Sequence, residues 1–402
     1  MPAISVVIPV YNAGPFLREA LDSLLAQTCG DFEAIAVNDG STDNSLEILK
    51  EYAARDSRIR ILDGPNGGYG KAMNRGMDAA TGKYMAILEP DDYLPREAYA
   101  VLLPLAEQHQ LDVVKGTYCS FYEENGQRHF RYSIPLRRPG GVWCTRRDFP
   151  GAFEHIWTGL QRLSFLREHG IRFHESPGAA YQDTGFFFLV AANAERYMLS
   201  EEVTYFYRVD NPQSSINNLG CKKMAVLGEY EYIRRELKAK PEQWQRLKLP
   251  FLSHWAMSML WTAKRIPESE LPEFCELLRE RLSEKDKELL PSHFREPLER
   301  LLQGSASAEE KVCNSPMACR KFLCGLVRLE MSRELTRVSV LRIPILERRL
   351  LHVWRHFQSG VSAKSGLLNA FYCLGVRVKL RPVDVYAQWP ANSIVEANVE
   401  PR

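Results

Sequence analysis

An α/β fold built around a mostly parallel sheet is predicted by three observations. Apolar segments alternate with helical ones from Ile4 to Leu88, a helical segment separates each strand from the next, and polar, acidic or glycine residues follow the strand ends. The elements come in order: apolar Ile4–Val10, helical Pro15–Gln27, apolar Phe32–Val37 and helical Ser45–Arg55. Ile59–Leu62 then precedes a Gly-rich turn, a helix over Tyr69–Ala80 and a strand over Tyr84–Leu88. Parallel sheets bind ligands in the crevice beyond the carboxyl ends of their strands, so the residues there are the candidates for function.

With 402 residues, 45% hydrophobic residues and a formal charge of +2, the chain reads as an ordinary globular protein of roughly two to three domains. Nine cysteines, at 29, 119, 144, 221, 275, 313, 319, 324 and 373, lack the close pairing of zinc or redox sites. They are expected to be mostly buried free thiols in a reducing compartment. Ile4–Val10 is a strand ending around Pro9, not the apolar core of a secretory signal. The longest uninterrupted apolar run, Phe186–Ala192, falls far short of the ~20 residues of a spanning helix. The expected location is the cytoplasm, or the surface of the membrane's inner face.

From about Leu219 long helical stretches take over, with Trp255, Met259 and Leu260 on one apolar face and Glu270–Glu284 strongly charged. Residues 1–218 are therefore read as the catalytic domain and 219–303 as a helical appendage. Gly304–Ala308 looks like a linker into a basic region, 304–402, expected to be largely helical. Within it Cys319–Phe357 carries nine Lys/Arg against three Glu, a net +6. Such a stretch can lie on anionic lipid or form a solvated helical face. No nucleic-acid-binding motif accompanies it.

Four segments carry chemistry. In Val37–Asp43 an acidic residue and a glycine precede Ser41, Thr42 and Asp43. Ser41 or Asp43 can cap the helix that follows, whereas Asp39, at a strand's carboxyl end, can accept from the base or ribose of a nucleotide. Glu89-Pro90-Asp91-Asp92 places three carboxylates within four residues, a crowding that Mg²⁺ or Mn²⁺ would relieve and that a solvated acidic turn or helix N-terminus would also tolerate. Asn66–Lys71 is Gly-rich but fits neither standard phosphate pattern, having Met73, Pro65 and Ala72 at the deciding positions. Backbone approach to a ligand there and pairing of Lys71 with phosphate remain open. Asp183, ahead of the apolar run Phe186–Val190, is either a helix N-cap or a general base.

Together these segments resemble glycosyltransferase family 2, inverting enzymes of the GT-A type, a Rossmann-like sheet flanked by helices. The resemblance begins at Ile4-Ser5-Val6-Val7-Ile8-Pro9-Val10-Tyr11-Asn12 and continues through Asp22–Thr28, Val37–Asp43, Asn66–Gly76 and Glu89–Asp92. Fainter matches run through Trp157, Gly170–Phe173, Gln182-Asp183-Thr184 and Tyr205–Arg208 before Ser214-Ser215, about half the chain in all. It implies that Tyr11 stacks on the nucleobase, that Asp39 hydrogen-bonds it, and that backbone near Pro9, with Asn12, Gly68 and Lys71, lines the donor site. Asp91 would be the main metal-linked carboxylate, with Glu89 and Asp92 beside it, and Asp183 the catalytic base. Glu89 stands where the family usually has Asp, and Gln182 where it usually has Glu.

The resemblance further implies a single displacement from a nucleoside diphosphate sugar, UDP-linked, onto a hydroxyl of a glycan or lipid-linked acceptor. Surface polysaccharide or lipopolysaccharide is the usual destination of such transfers. Rival readings are a catalytically silent nucleotide-sugar binding protein and a sugar nucleotidyltransferase.

Overall fold

The computed structural model describes residues 1–132, 142–144, 155–214 and 224–304, together with strands at 322–324, 327–331 and 336–340. The chain alternates β1 (Ile4–Val10), α1 (Gly14–Leu25), β2 (Phe32–Asp39), α2 (Ser45–Arg55), β3 (Ile59–Gly64), α3 (Tyr69–Ala79), β4 (Tyr84–Ile87) and α4 (Ala98–Gln108). It continues through β5 (Val113–Glu124), β6 (Gln127–Tyr132), β7 (Val142–Cys144), β8 (Gly159–Arg162), α5 (Leu163–Glu168), α6 (Gln182–Asn193) and β9 (Tyr197–Arg208). Five helices follow: α7 (Ala225–Lys238), α8 (Pro241–Ala263), α9 (Leu271–Arg281), α10 (Glu284–Leu289) and α11 (Ser292–Leu302).

Among the described residues β1–β9 form one mixed sheet in the order β3-β2-β1-β4-β8-β5-β9-β7, with β6 paired to β5. The half from β3 to β4 is wholly parallel, as the alternation predicts. β8 then enters antiparallel to both β4 and β5, and β9 returns parallel to β5. β1 lies between β2 and β4, so the chain leaves it on one side for β2 and β3 and comes back on the other as β4. The sheet's switch point therefore opens at the ends of β1 and β4, where Tyr11 and Glu89–Asp92 follow.

Every residue of β1 and β2 is buried, as expected of strands covered on both faces. Ile4, Val6, Ile8 and Val10 share a core with Leu17, Leu21 and Leu24 of α1, Ile48 and Tyr52 of α2, and Leu102 of α4. Val7, of opposite parity, points to the other face, where α3 comes so near that a Cβ on Gly76 would lie 2.3 Å from it.

α6 is buried from Gly185 to Val190. α7 packs on it and α8 on α7. Phe188 meets Phe251 at 6.0 Å between ring centroids, and Tyr230 meets Phe251 at 5.9 Å. Trp255 and Met259 are buried as their spacing predicts, and Leu260 is half-buried. No described helix is long and apolar enough to cross a membrane. Cys29, Cys119 and Cys275 are free thiols, the last two buried.

The residues fall into two compact units, Met1–Arg295 and Glu296–Val395. No break at 218 separates the sheet from α7 and α8 within the first unit. In the second, the described strands β10 (Phe322–Cys324), β11 (Val327–Met331) and β12 (Thr336–Val340) form an antiparallel sheet, strand where helix was expected. The rest of the basic stretch 319–357 lies outside the described residues.

Candidate active site

The loops after β1, β2 and β3 are tied to one another by side chains. Pro9 is buried and pairs in register with Val37. Tyr11, 53% exposed, leaves its ring open to a stacking partner. Asn12 sits in the left-handed region at φ 49, its N–H donating to Ser41 Oγ at 3.1 Å and its Oδ1 accepting from Thr42 N–H at 2.8 Å. It braces two loops, a role that residue type alone does not disclose.

Asp43 accepts from Gly14 N–H at 2.9 Å and Ser45 N–H at 3.0 Å, so one carboxylate serves the N-termini of both α1 and α2. Burial works against its ionisation, but these hydrogen bonds outweigh it and hold its pKa below the ordinary value. The N-cap position of α2 itself is Asn44, and Asp43 bonds the first helical amide from the residue before it. Asp39, 4% exposed, accepts from Gly67 N–H at 2.8 Å and Gly68 N–H at 2.9 Å. Each oxygen retains a lone pair, so Asp39 can still meet a ligand while it fixes the Gly-rich turn.

That turn is glycine-rich because another segment crosses it. Gly68 has φ 88, and a Cβ there would lie 3.0 Å from Gly178 N and O. A Cβ on Gly70 would fall 2.0 Å from the His174 carbonyl oxygen. Tyr69 N–H donates to Gly178 O at 2.9 Å. Close backbone packing, not a phosphate pattern, accounts for the glycines. Lys71 is exposed, its stem lying over Gly67.

The acidic segment after β4 meets Tyr69, Tyr205, Arg208 and Asn211, the last of which the sequence did not single out. Glu89 accepts from Tyr69 Oη–H at 2.6 Å, and its own N–H donates to Tyr205 Oη at 3.0 Å. Burial, with Asp91 and Asp183 adding to it and the Tyr69 hydrogen bond opposing, pushes the Glu89 carboxyl up to about 8. Asp91 accepts from Asn211 Nδ2 at 2.8 Å; burial raises its pKa and Asn211 counters. Asp92, 1% exposed, accepts from Arg208 N–H at 2.7 Å and is pushed well up by burial and then by Asp91.

Arg208 also donates to Asp91 O at 3.0 Å and Glu19 at 2.6 Å, clamping the turn to α1 and β9. Glu89, Asp91 and Asp92 thus each meet a different partner within the fold. Among the described residues no three His, Cys, Asp or Glu side chains group as metal ligands. Asp92 uses one oxygen on the backbone of β9 and Glu89 accepts from Tyr69, while Asp91, less buried than Asp92, is the carboxylate best fitted to an ion shared with phosphate.

Asp183 is exposed in the first turn of α6, not its N-cap; the N-cap is Tyr181, in the left-handed region at φ 65. Asp183 Oδ1 accepts from Thr184 N–H at 2.9 Å. Its neighbour Gln182 is 2% exposed and stitches the turn ahead of it: Oε1 accepts from Ala180 N–H at 2.6 Å, and Nε2 donates to Ser176 Oγ at 2.8 Å and Gly178 O at 3.3 Å. The fold brings Asp183 to the acidic segment. The Tyr69 hydroxyl is held well above its ordinary pKa by burial and then by Glu89, Asp183 and Asp91, so it remains a neutral donor among three carboxylates.

Comparison with known proteins bears on the family and the fold. The glycosyl transferase family 2 model matches residues 5–180. The uncharacterized glycosyltransferase EpsJ of Bacillus subtilis is 35% identical over 223 residues, 53% of this chain, which spans 63% of that protein. The uncharacterized glycosyltransferase YibD of Escherichia coli is 33% identical over 244 residues, 58% of this chain and 70% of that one. The crystal structure of S. aureus TarS in complex with UDP-GlcNAc shares the fold at a TM-score of 0.63 and 19% identity, over 84% of this chain and 97% of that one. On these grounds the chain belongs to glycosyl transferase family 2.

Proposed function

We propose that the protein transfers a sugar from a UDP-sugar to a hydroxyl of a glycan or lipid-linked acceptor, with inversion at the anomeric carbon. The observation that carries this reading is Asp183, exposed at the mouth of α6 and within electrostatic reach of Tyr69 and Glu89, which also feel Asp91. An ionised aspartate there takes the acceptor hydroxyl's proton while that oxygen forms its bond to the anomeric carbon and the bond to the diphosphate breaks. Tyr11 stacks on the uracil, Asp39 and the backbone around Pro9, Asn12 and Gly68 line the donor site, and Lys71 faces phosphate. Asp91, steadied by Asn211, would hold Mn²⁺ or Mg²⁺, an ion that neutralises charge on a departing diphosphate and commonly takes only one or two protein carboxylates.

The choice of UDP is supported by the UDP-GlcNAc complex of TarS. In this reading residues 1–218 carry the donor site and the catalytic base. The product is a cell-surface polysaccharide or lipopolysaccharide, made in the cytoplasm at the inner face of the membrane.

Calorimetric titration of UDP with Mn²⁺ and with EDTA, on wild type and Asp91→Asn, tests the proposal. Binding that needs metal and is lost in the variant supports it. A folded protein that ignores UDP under both conditions refutes the donor assignment, and unchanged metal-dependent binding in Asp91→Asn removes Asp91 from the metal site.

A further inference from the structure

The end of α8 reaches the turn that carries Asp183. Tyr181 holds the strained left-handed N-cap of α6, two residues before Asp183, and its hydroxyl is 3.4 Å from Thr262 Oγ1 of α8. Trp261 meets the Tyr181 ring edge-on at 6.4 Å yet stays 43% exposed, an unusual degree for an indole. The Arg265 guanidinium lies 4.0 Å from the centre of the Trp261 ring.

Arg265 is half-buried, and burial disfavours its charge while Tyr181 and Tyr207 act on it in the opposite sense. Tyr207 in turn feels Asp92, Asp91 and Glu89, and stacks on Trp157 at 5.3 Å with rings 8° from parallel. Arg265 thus lies against Trp261 and within electrostatic reach of Tyr181 and Tyr207.

We propose that Trp261 and Arg265 form an acceptor subsite for a sugar that carries an anionic group, a carboxylate or a phosphate. An exposed indole near the turn that carries the base suits the apolar face of a pyranose, and the guanidinium over that indole supplies a cation that can donate to an oxyanion. A cation there would offset the repulsion that an anionic acceptor meets from Asp91 and Asp183. The proposal rests on the glycosyltransferase reading and adds to it a class of acceptor.

The test is saturation-transfer NMR on the full chain with its donor site filled by UDP and Mn²⁺, using methyl glucuronide, glucose 6-phosphate and neutral methyl glucoside as probes. Wild type is expected to bind one or both anionic probes at least about tenfold more tightly than the neutral one, and the tighter of the two identifies the group. Arg265→Gln should erase that preference while leaving methyl glucoside and UDP unchanged. Trp261→Ala should weaken all three sugars and spare UDP. Arg265→Lys keeps the charge without the planar fork and should recover only part of the preference.

UDP binding measured in the same samples separates the two readings. Normal UDP binding with no anion preference overturns the subsite alone, and weaker UDP binding in Arg265→Gln overturns it by assigning Arg265 to the donor diphosphate. No UDP binding in wild type overturns the donor reading and the subsite with it.

Discussion

Gln182 donates through Nε2 to the Ser176 hydroxyl at 2.8 Å, so the turn ahead of Asp183 is held by a neutral amide. The same nitrogen reaches the Gly178 carbonyl at 3.3 Å, while Oε1 accepts from Ala180. A glutamate keeps only the accepting half. Gln182→Glu is expected to destabilise the fold by about 1–2 kcal/mol at neutral pH, by facing a carboxylate with a carbonyl. Protonation restores a donor, so the Glu's folded pKa is raised: stability is full below the unfolded value of ~4.3 and is lost as pH rises. Melting curves from pH 4 to 8 check this, and a variant as stable as wild type at pH 8 would refute it.

Asp183 is exposed, so Asp183→Asn should leave the unfolding free energy within about 0.5 kcal/mol of wild type, read by denaturant titration. Turnover should drop by roughly 10²-fold or more through loss of the base. Full activity in the variant would send the search for the base elsewhere.

Tyr11 presents a half-open ring at the end of β1. Tyr11→Ala should weaken UDP binding by about 1–3 kcal/mol, the usual worth of base stacking on an aromatic side chain, without lowering thermal stability. Calorimetry on the variant reads both quantities.

Two glycines in helices should respond in opposite directions to alanine. At Gly70 the new methyl would meet the His174 carbonyl 2.0 Å away, costing about 1–3 kcal/mol as the 174–178 segment is displaced. At Gly228, inside α7 with nothing within 4 Å, alanine should stabilise by roughly 0.5–1 kcal/mol. Denaturant titrations of both variants test the pair.

Glu229 and His174 meet at 2.9 Å, and a neutral pair is expected. Burial raises the Glu229 carboxyl to about 8 and, as the leading cause, lowers the His174 imidazole, so the proton rests on the acid and is donated to Nδ1. Glu229 therefore contributes stability that is complete below its unfolded value and lost as pH climbs toward 8. His174 acts oppositely, its contribution fading as pH drops below about 6.5. Glu229→Gln should remove the alkaline loss, raising the melting temperature relative to wild type at pH 8 more than at pH 5; equal shifts at both would argue against the neutral pair.

Much of the sheet was legible because its cause is local. Ser45–Arg55 forms the helix predicted residue for residue, and β1 to β4 and the intervening helices fall within a residue or two of expectation. The bond from Asp43 to the first amide of α2 follows from short-range chemistry too. The site's wiring was not legible, because it joins residues far apart in the chain: Asn211 to Asp91, Arg208 to Asp92, and the 174–178 segment over Gly68 and Gly70. The three carboxylates of Glu89–Asp92 left a shared ion and a solvated acidic turn both open, and in the fold each side chain meets a different partner. Gln182, which stands where the family usually has Glu, donates through its amide to Ser176 and Gly178, partners far from evident in the sequence.

The cross-braced loops beyond β1, β2 and β3 bear on how a nucleotide is received. Thr42, Gly14, Ser45, Gly67 and Gly68 all give their amides to side-chain oxygens of Asn12, Asp43 and Asp39. Loop amides held this way should exchange with deuterium slowly even in the empty protein. The ordering entropy of this floor is met during folding, and little of it remains to weigh against ligand capture.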